Sequence, residues 1–559
     1  MKLHLNLADY LVILTYFCFV IGIGFFLKRR MKTSHDFLLS SRSIPMWIAS
    51  LAFISANLGA QEVLGMSASG AKYGLYTNHF YWLGAVLAML FLGVFMMPFY
   101  YGSKARSVPE YLALRFDEKT RGLNAITFAI MTVFSSGISL YALAILLESM
   151  LGIGFNTSIL IASVIVLAYT YLGGLTSAVY NEVLQFFLIV LGIAPLVYIG
   201  LHHVGGWEGV KANLGETNLL HVWKGMGSDK TNPMGTNYRS LIFGLGFVLA
   251  FGYWCTDFLV VQRAMVTRNL NDAQMTPIYA SIPKIFMPVI VILPGIIALA
   301  LMKGNYGYSI PLTKDGHGFD YNMTLPSMLQ HFYPNGLLGV GLTALIASFM
   351  SGMAGNVTAF NTVFTFDIYQ AYIHKNGSDE HYLKVGKFVT VFGILASVGT
   401  AYLAKGFDNI MDFLQLVFGF INAPLFATFF LGMFWKKTTA NGAFFGLISG
   451  MLAAAATYGL TIAEGKGGWL AHSLNINPIE ISSSMGQNFD IASFAFIACF
   501  VVTWVVSLFT KRKDENTLVG LVYSMTPKTK AGHNTWYKNP IIMGCLVLLI
   551  TVIFNIIFY

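Results

Sequence analysis

Lys284 stands in the middle of a run, residues 277–301 (PIYASIPKIFMPVIVILPGIIALAL), whose other side chains suit a lipid environment. A lysine at the centre of a membrane helix costs roughly 2.5–3.5 kcal/mol on insertion scales, so such a charge marks a polar cavity, an ion path or a switch. It has company. Glu62 follows a glycine-bearing stretch (Ser55-Ala56-Asn57-Leu58-Gly59-Ala60), Glu182 lies within YNEVLQ (180–185), and Gln415 sits in another apolar run. Each needs a partner or water at that depth. Lys284 and Glu62 have opposite charges and come from different segments, which suits a pair across a central cavity. Asp257 and Asp367 fall near the ends of their apolar runs, where a carboxylate is expected to face the interface. Ser348 and Ser351 share one helical face at i, i+3 and offer hard oxygens for a small cation. Phe80-Tyr81-Trp82 and Tyr253-Trp254 supply rings with polar tips, which serve equally to stack on a sugar face or to anchor at a membrane interface.

The elements that must hold these residues are membrane helices. Apolar residues make up 56% of the 559 and charged residues 11%, against about 25% charged in a typical soluble chain. Fourteen apolar spans are predicted: 8–27, 45–70, 78–100, 123–150, 155–172, 176–202, 240–262, 275–302, 337–372, 383–404, 409–435, 439–463, 488–509 and 539–558. Alternating loops then hold 23 of the 34 Lys and Arg on one side, including Lys28-Arg29-Arg30, Lys436-Lys437 and Lys511-Arg512-Lys513. The positive-inside rule puts both termini on the extracytoplasmic side. The net charge of +9 is thus a topology signal, not a nucleic-acid footprint. The first span, with its basic cluster after the apolar stretch, reads as a retained helix and not as a cleaved signal. Four scattered cysteines form no metal or disulfide pattern. No HExxH and no Ser–His pairing at membrane depth points to an enzyme.

Two spans carry clustered interruptions, at 55–60 and at Gly244, Gly246 and Gly252 before Tyr253. They lie five spans apart, and interrupted helices at matching places in two halves are the sequence mark of an inverted-repeat transporter. Unwound backbone survives at membrane depth only where it lines a cavity or is buried in protein.

With these residues in view, the chain resembles the sodium:solute symporter family, in particular its sodium/glucose and sodium/galactose cotransporter branch. The resemblance rests on Asp36-Phe37-Leu38 through Ser43-Ile44-Pro45-Met46-Trp47, ISANLGAQEVLGMSASG (54–70), SVPEYLALRF (107–116), YLGGLTSAVYNEVLQ (171–185), YWCTDFLVVQRAM (253–265), LPG (293–295), FTFDIY (364–369) and LGMFWKKTTANGAFFGL (431–447). It implies an all-α polytopic fold of about fourteen helices with a five-plus-five inverted repeat (a LeuT-like core). Residues 45–202 would form the first repeat and 240–435 the second, with 8–27 an extra N-terminal helix and 439–558 additional C-terminal helices, all in one membrane domain. It implies a Na+ site from the carbonyls of Ser55 and Leu58 together with Ser348 and Ser351; Gly352 stands where the family carries a second adjacent hydroxyl. Glu182 matches an acid tied to a further cation or proton site. Tyr253 resembles an aromatic gate that stacks on the sugar, and Lys284 and Gln415 match groups that bond its hydroxyls. Glu62 replaces a Gln or His, Tyr81 a carboxylate, and Gly84 and Ala250 small polar residues.

The reading is a secondary active transporter of the cell membrane that carries a small polar solute, a sugar or polyol, with sodium. A substrate set of Glu62, Tyr81, Tyr253, Lys284 and Gln415 follows, with the bilayer as surroundings and one chain sufficing. The alternatives are coupling to protons through Glu62 or Glu182, a differently polar solute such as an organic acid, and a sensor that binds solute without moving it.

Overall fold

The computed structural model describes residues 5–28, 33, 38, 40–215, 217–313, 316, 318–405, 409–526 and 535–559. Arg29, Arg30, Asp36 and Phe37 lie outside the described residues. The chain is helical almost throughout. Its principal helices are α1 (Leu7–Lys28), α2 (Met46–Asn57), α3 (Ala60–Tyr73), α4 (Phe80–Gly102), α5 (Glu118–Leu151), α6 (Phe155–Val204), α7 (Ser240–Thr256), α8 (Phe258–Met265), α9 (Leu270–Lys303), α10 (Leu337–Ile373), α11 (Asp379–Ala404), α12 (Ile410–Phe434), α13 (Ala440–Leu460), α14 (Ser484–Phe509) and α15 (Pro540–Ile557). Among the described residues, eleven helices are long and apolar enough to cross a membrane, or thirteen when two bent pairs each count as one span. Phe388, Leu395, Leu191 and Leu452 are each more than half exposed on the outer helices, as an apolar solvent requires.

The segment 155–172 falls short of the sequence expectation. Its apolar helical part is only Phe155–Ala168, below the ~20 residues a bilayer needs. It joins the next span, without a loop, at Gly174, where φ 53 and ψ −147 suit glycine alone.

The first bent pair is α2–α3, turned through 55°. Helix α2 stops at Asn57 and the chain restarts at Ala60, with Leu58 and Gly59 between them out of helical conformation. This is the break expected at 55–60. The second pair, α7–α8, bends by 50°, but not where glycines suggested. Gly244, Gly246 and Gly252 lie within continuous helix. Their role is close packing: a methyl group at Gly244 would sit 2.5 Å from the Phe489 carbonyl oxygen. The bend falls at Asp257, whose extended backbone (φ −72, ψ 117) starts α8 and whose carboxylate accepts from Leu259 N at 2.9 Å. Asp257 is therefore a buried N-cap, 2% exposed, and not an interfacial acid.

Asp367 is likewise fully buried in α10 and accepts from the Arg121 guanidinium of α5 at 2.8 Å. Two further polar side chains tie helices end to end. Asp9 of α1 accepts from Gly336 N and Gly339 N at the start of α10. Arg115 donates to the carbonyls of Gly432, Trp435 and Thr438, where α12 ends; the motifs at 107–116 and 431–447 thus meet as a helix C-terminus and its cationic cap. A small sheet, unforeseen from sequence, pairs Thr461–Ala463 with Lys466–Gly467 and Ile479–Glu480. Lys72 of α3 bridges it to α12 through Glu464 (3.0 Å) and Asp412 (3.3 Å).

Removing one partner of a buried ion pair strands the other charge, at a cost of about 3–5 kcal/mol. Arg121→Met is expected to lower the thermal unfolding midpoint in detergent, and Arg121→Met with Asp367→Asn to recover much of it. Equal loss in single and double variants would show that the pair does not join α5 to α10.

Candidate solute chamber and cation site

Beside the first break lies a tight chamber of about 50 Å³, room for a few waters in this conformation. Glu62, Tyr81, Tyr253, Lys284 and Gln415 all line it. The sequence proposed these five, and five different helices bring them together: α3, α4, α7, α9 and α12. The first turns of α4 and most of α7 are wound as π-helix, a wider winding frequent at functional sites.

Lys284 organises the chamber. Its Nζ donates to Glu62 Oε1 at 2.6 Å and to Asn57 Oδ1, and lies 4.9 Å and 5.0 Å from the ring centres of Tyr81 and Trp254. Tyr81 OH donates to the same Glu62 oxygen, and Asn57 Nδ2 donates to Tyr253 OH at 2.9 Å. Lys284 is 1% exposed and Glu62 4%. Burial of such charges is tolerable only because they neutralise each other and their remaining valences are bonded. The opposite wall is a platform: Tyr253 stacks on Phe418 with ring centres 5.0 Å apart and planes at 25°. Gln415 sits beside it with only a thioether contact to Met411, at 3.9 Å, and the buried Gln61 Oε1 has no partner among the described residues.

Sequence reasoning missed Asn57 and Phe418, and left Trp254 open between a sugar-stacking and an interfacial ring. The signals were there: Asn57 lies inside the break motif, and Phe418 is one helical turn from Gln415. The two replaced positions, Gly84 and Ala250, prove to be neighbours. A methyl group at Gly84 would approach Ala250 Cβ to 3.0 Å, so helix packing fills the place of two polar contacts.

The four expected cation-site residues also meet. The Ser348 hydroxyl of α10 donates to the Leu58 carbonyl at 2.7 Å, and that of Ser351 donates to the Ser55 carbonyl at 3.0 Å. The Leu58 carbonyl at the break, the Ser55 carbonyl, which also accepts from Leu58 N at 2.9 Å, and the two hydroxyls, all fully buried, make a hard-oxygen set that fits Na+ chemically. Glu182 stands apart from this set. Its carboxylate forms an ion pair with Arg263 of α8, and both are buried.

Broken membrane helices flanking a polar chamber are the architecture of a secondary transporter. The sequence profile described as "Sodium:solute symporter family" matches residues 37–450, and the chain belongs to that family. A "Sodium/glucose cotransporter" of Vibrio parahaemolyticus is 29% identical over 460 residues, covering 80% of this chain and 84% of that protein. "Sodium/glucose cotransporter 1" of Oryctolagus cuniculus is 26% identical over 552 residues, covering 93% and 81%. A solved Na+-coupled sialic acid symporter, in a substrate-bound outward-open state, shares the fold with a TM-score of 0.75 at 20% identity, over 91% of this chain and 99% of that one. The protein is thus a multi-pass membrane symporter with a LeuT-like fold.

If the chamber's charges are held by each other, Lys284→Met and Glu62→Gln will each lower the unfolding midpoint more than the double variant does. A double-variant loss equal to the sum of the singles would mean that the two charges do not interact.

Proposed function

We propose that the protein imports an uncharged polyhydroxylated solute, a hexose or cyclic polyol, together with Na+. The observation that carries this reading is the Lys284–Glu62 pair inside the chamber. Because Glu62 already balances the ammonium, the wall offers hydrogen-bond donors and acceptors without a net charge, which suits hydroxyls and disfavours an organic acid. The names of the two cotransporters above, and the Tyr253–Phe418 platform on which an apolar sugar face can stack, support the same class. In this reading Lys284, Glu62 and Gln415 bond solute hydroxyls, Tyr81 holds Glu62, and Tyr253 closes the chamber on one side.

Sodium would be held by the carbonyls of Ser55 and Leu58 and the hydroxyls of Ser348 and Ser351. Bound there, it supplies a positive charge that draws the break of α2–α3 and the middle of α10 together. Glu182, paired with Arg263, acts in this reading as a structural acid, which leaves proton coupling without a free carboxylate at that position. Residues 45–202 and 240–435 form the two repeats, each opening with one of the bent pairs, and rock against each other to give alternating access. The 8–27 helix and 439–558 lie outside them. The excess of Lys and Arg in alternate loops orients the chain with both termini outside the cell membrane.

The test is tracer uptake into proteoliposomes with a panel of hexoses and inositols, under a sodium gradient and a potassium control. Sodium-stimulated accumulation, abolished in Lys284→Ala, is the expected outcome. Glu62→Gln should lose the neutral solute and gain binding of the matching uronate, because the chamber then carries an uncompensated ammonium. Uptake indifferent to sodium, or unchanged in Lys284→Ala, would overturn the assignment.

A further inference from the structure

The missing hydroxyl at Gly352 has a steric cause and a neighbour that answers it. A Cβ at Gly352 would lie 2.9 Å from Gly59 Cα, and a Cβ at Gly59 would lie 3.0 Å from Gly352 Cα. Helix α10 and the break of α2–α3 therefore meet glycine to glycine, and a side chain at 352 would push the break away. The same Cβ would lie 3.0 Å from Ser139 Oγ of α5. A serine hydroxyl from a third helix already stands at the edge of the space that the family's second hydroxyl occupies.

That hydroxyl has nothing else to do. Ser139 is 1% exposed, and its Oγ has no hydrogen-bond partner among the described residues. A helical serine or threonine commonly bonds the carbonyl one turn back. Thr132 on the same helix does so, donating to the Phe128 and Ala129 carbonyls at 3.0 and 2.9 Å. Buried polar atoms without partners are rare, and an unplaced ion is one of the few explanations for them. The face is also the right one. Ser135, one turn before Ser139, accepts from Asn356 Nδ2 of α10 at 3.1 Å, so this stripe of α5 packs on the stretch of α10 that carries Ser351 and Gly352.

We propose that Ser139 is a ligand of the coupling cation, its hydroxyl oxygen taking the place of the one absent at position 352. The site then draws on three elements: the α2–α3 break (Ser55 and Leu58 carbonyls), α10 (Ser348 and Ser351) and α5 (Ser139). This inference rests on the sodium reading above, and its test separates the two.

The experiment is the thermal unfolding midpoint of the purified full-length protein in detergent, titrated with NaCl against choline chloride at constant ionic strength and without solute. Wild type should be stabilised by sodium. In Ser139→Ala the half-maximal sodium concentration should rise by roughly tenfold or more, since loss even of outer-shell partners typically costs 10–100-fold in metal affinity. Ser139→Cys, which keeps the volume but offers a soft sulfur, should show the same rise. In neither should the sodium-free midpoint fall, because the hydroxyl removed bonds nothing. A sodium-responsive wild type with an unchanged half-maximal concentration in both variants would overturn the role of Ser139 alone. A lowered sodium-free midpoint with unchanged sodium dependence would make Ser139 a packing residue. A wild type blind to sodium would overturn the sodium reading and this proposal with it.

Discussion

A bilayer core offers no water to a freed carbonyl or amide, so a helix interrupted inside it must find its partners in protein. This constraint governs the molecule. Where α2 stops at Asn57, the carbonyls of Ser55 and Leu58 meet the hydroxyls of Ser351 and Ser348. Where α7 stops at Thr256, the Asp257 carboxylate accepts from the Leu259 amide in the first turn of α8. The two breaks are repaired differently. The first leaves two carbonyls bonded to hydroxyls of another helix; the second leaves a helix N-terminus capped and closed.

The same absence of water disciplines charge. Three buried pairs, Lys284–Glu62, Arg263–Glu182 and Arg121–Asp367, each join separate helices. Such pairs contribute little net stability, because desolvation offsets most of their attraction, and they are costly when split. Two of them are packed among helices. Only Lys284–Glu62 lines the chamber, where solute hydroxyls can compete for its remaining valences.

Much of this was legible because charge in an apolar run is so improbable. Lys284, Glu62 and Gln415 announced themselves as polar groups in apolar runs, Tyr81 and Tyr253 as rings near the breaks, and the resemblance supplied their roles. The position of the second break was not legible. Glycine in a membrane helix serves close packing as readily as interruption, and Gly244, Gly246 and Gly252 do the former while a lone aspartate marks the bend. Asp257 and Asp367 read as interfacial because they fall near the ends of their apolar runs; an amide two residues on and an arginine 246 positions away in sequence cannot be paired from local pattern. The unwound junction at Gly174 hides how short the helix before it is. Ser139 could not be found at all without knowing which face of α5 meets α10.

Coupling asks for more than two adjacent sites. An ion drives solute only by favouring one conformation over another, so its site and the chamber must share a part that moves. In the proposed mechanism Asn57 and Leu58 are that shared part. The Leu58 carbonyl, proposed for the cation set, accepts from Ser348, and the Asn57 side chain, one residue earlier, accepts from Lys284 and donates to Tyr253. Any shift of the unwound backbone at Leu58 is carried through a single peptide unit to the residue holding both the chamber's charge and its aromatic wall. One stretch of chain thus serves both the proposed ion site and the chamber. A continuous helix through residues 55–60 would give up both, since its carbonyls would be spent on its own amides.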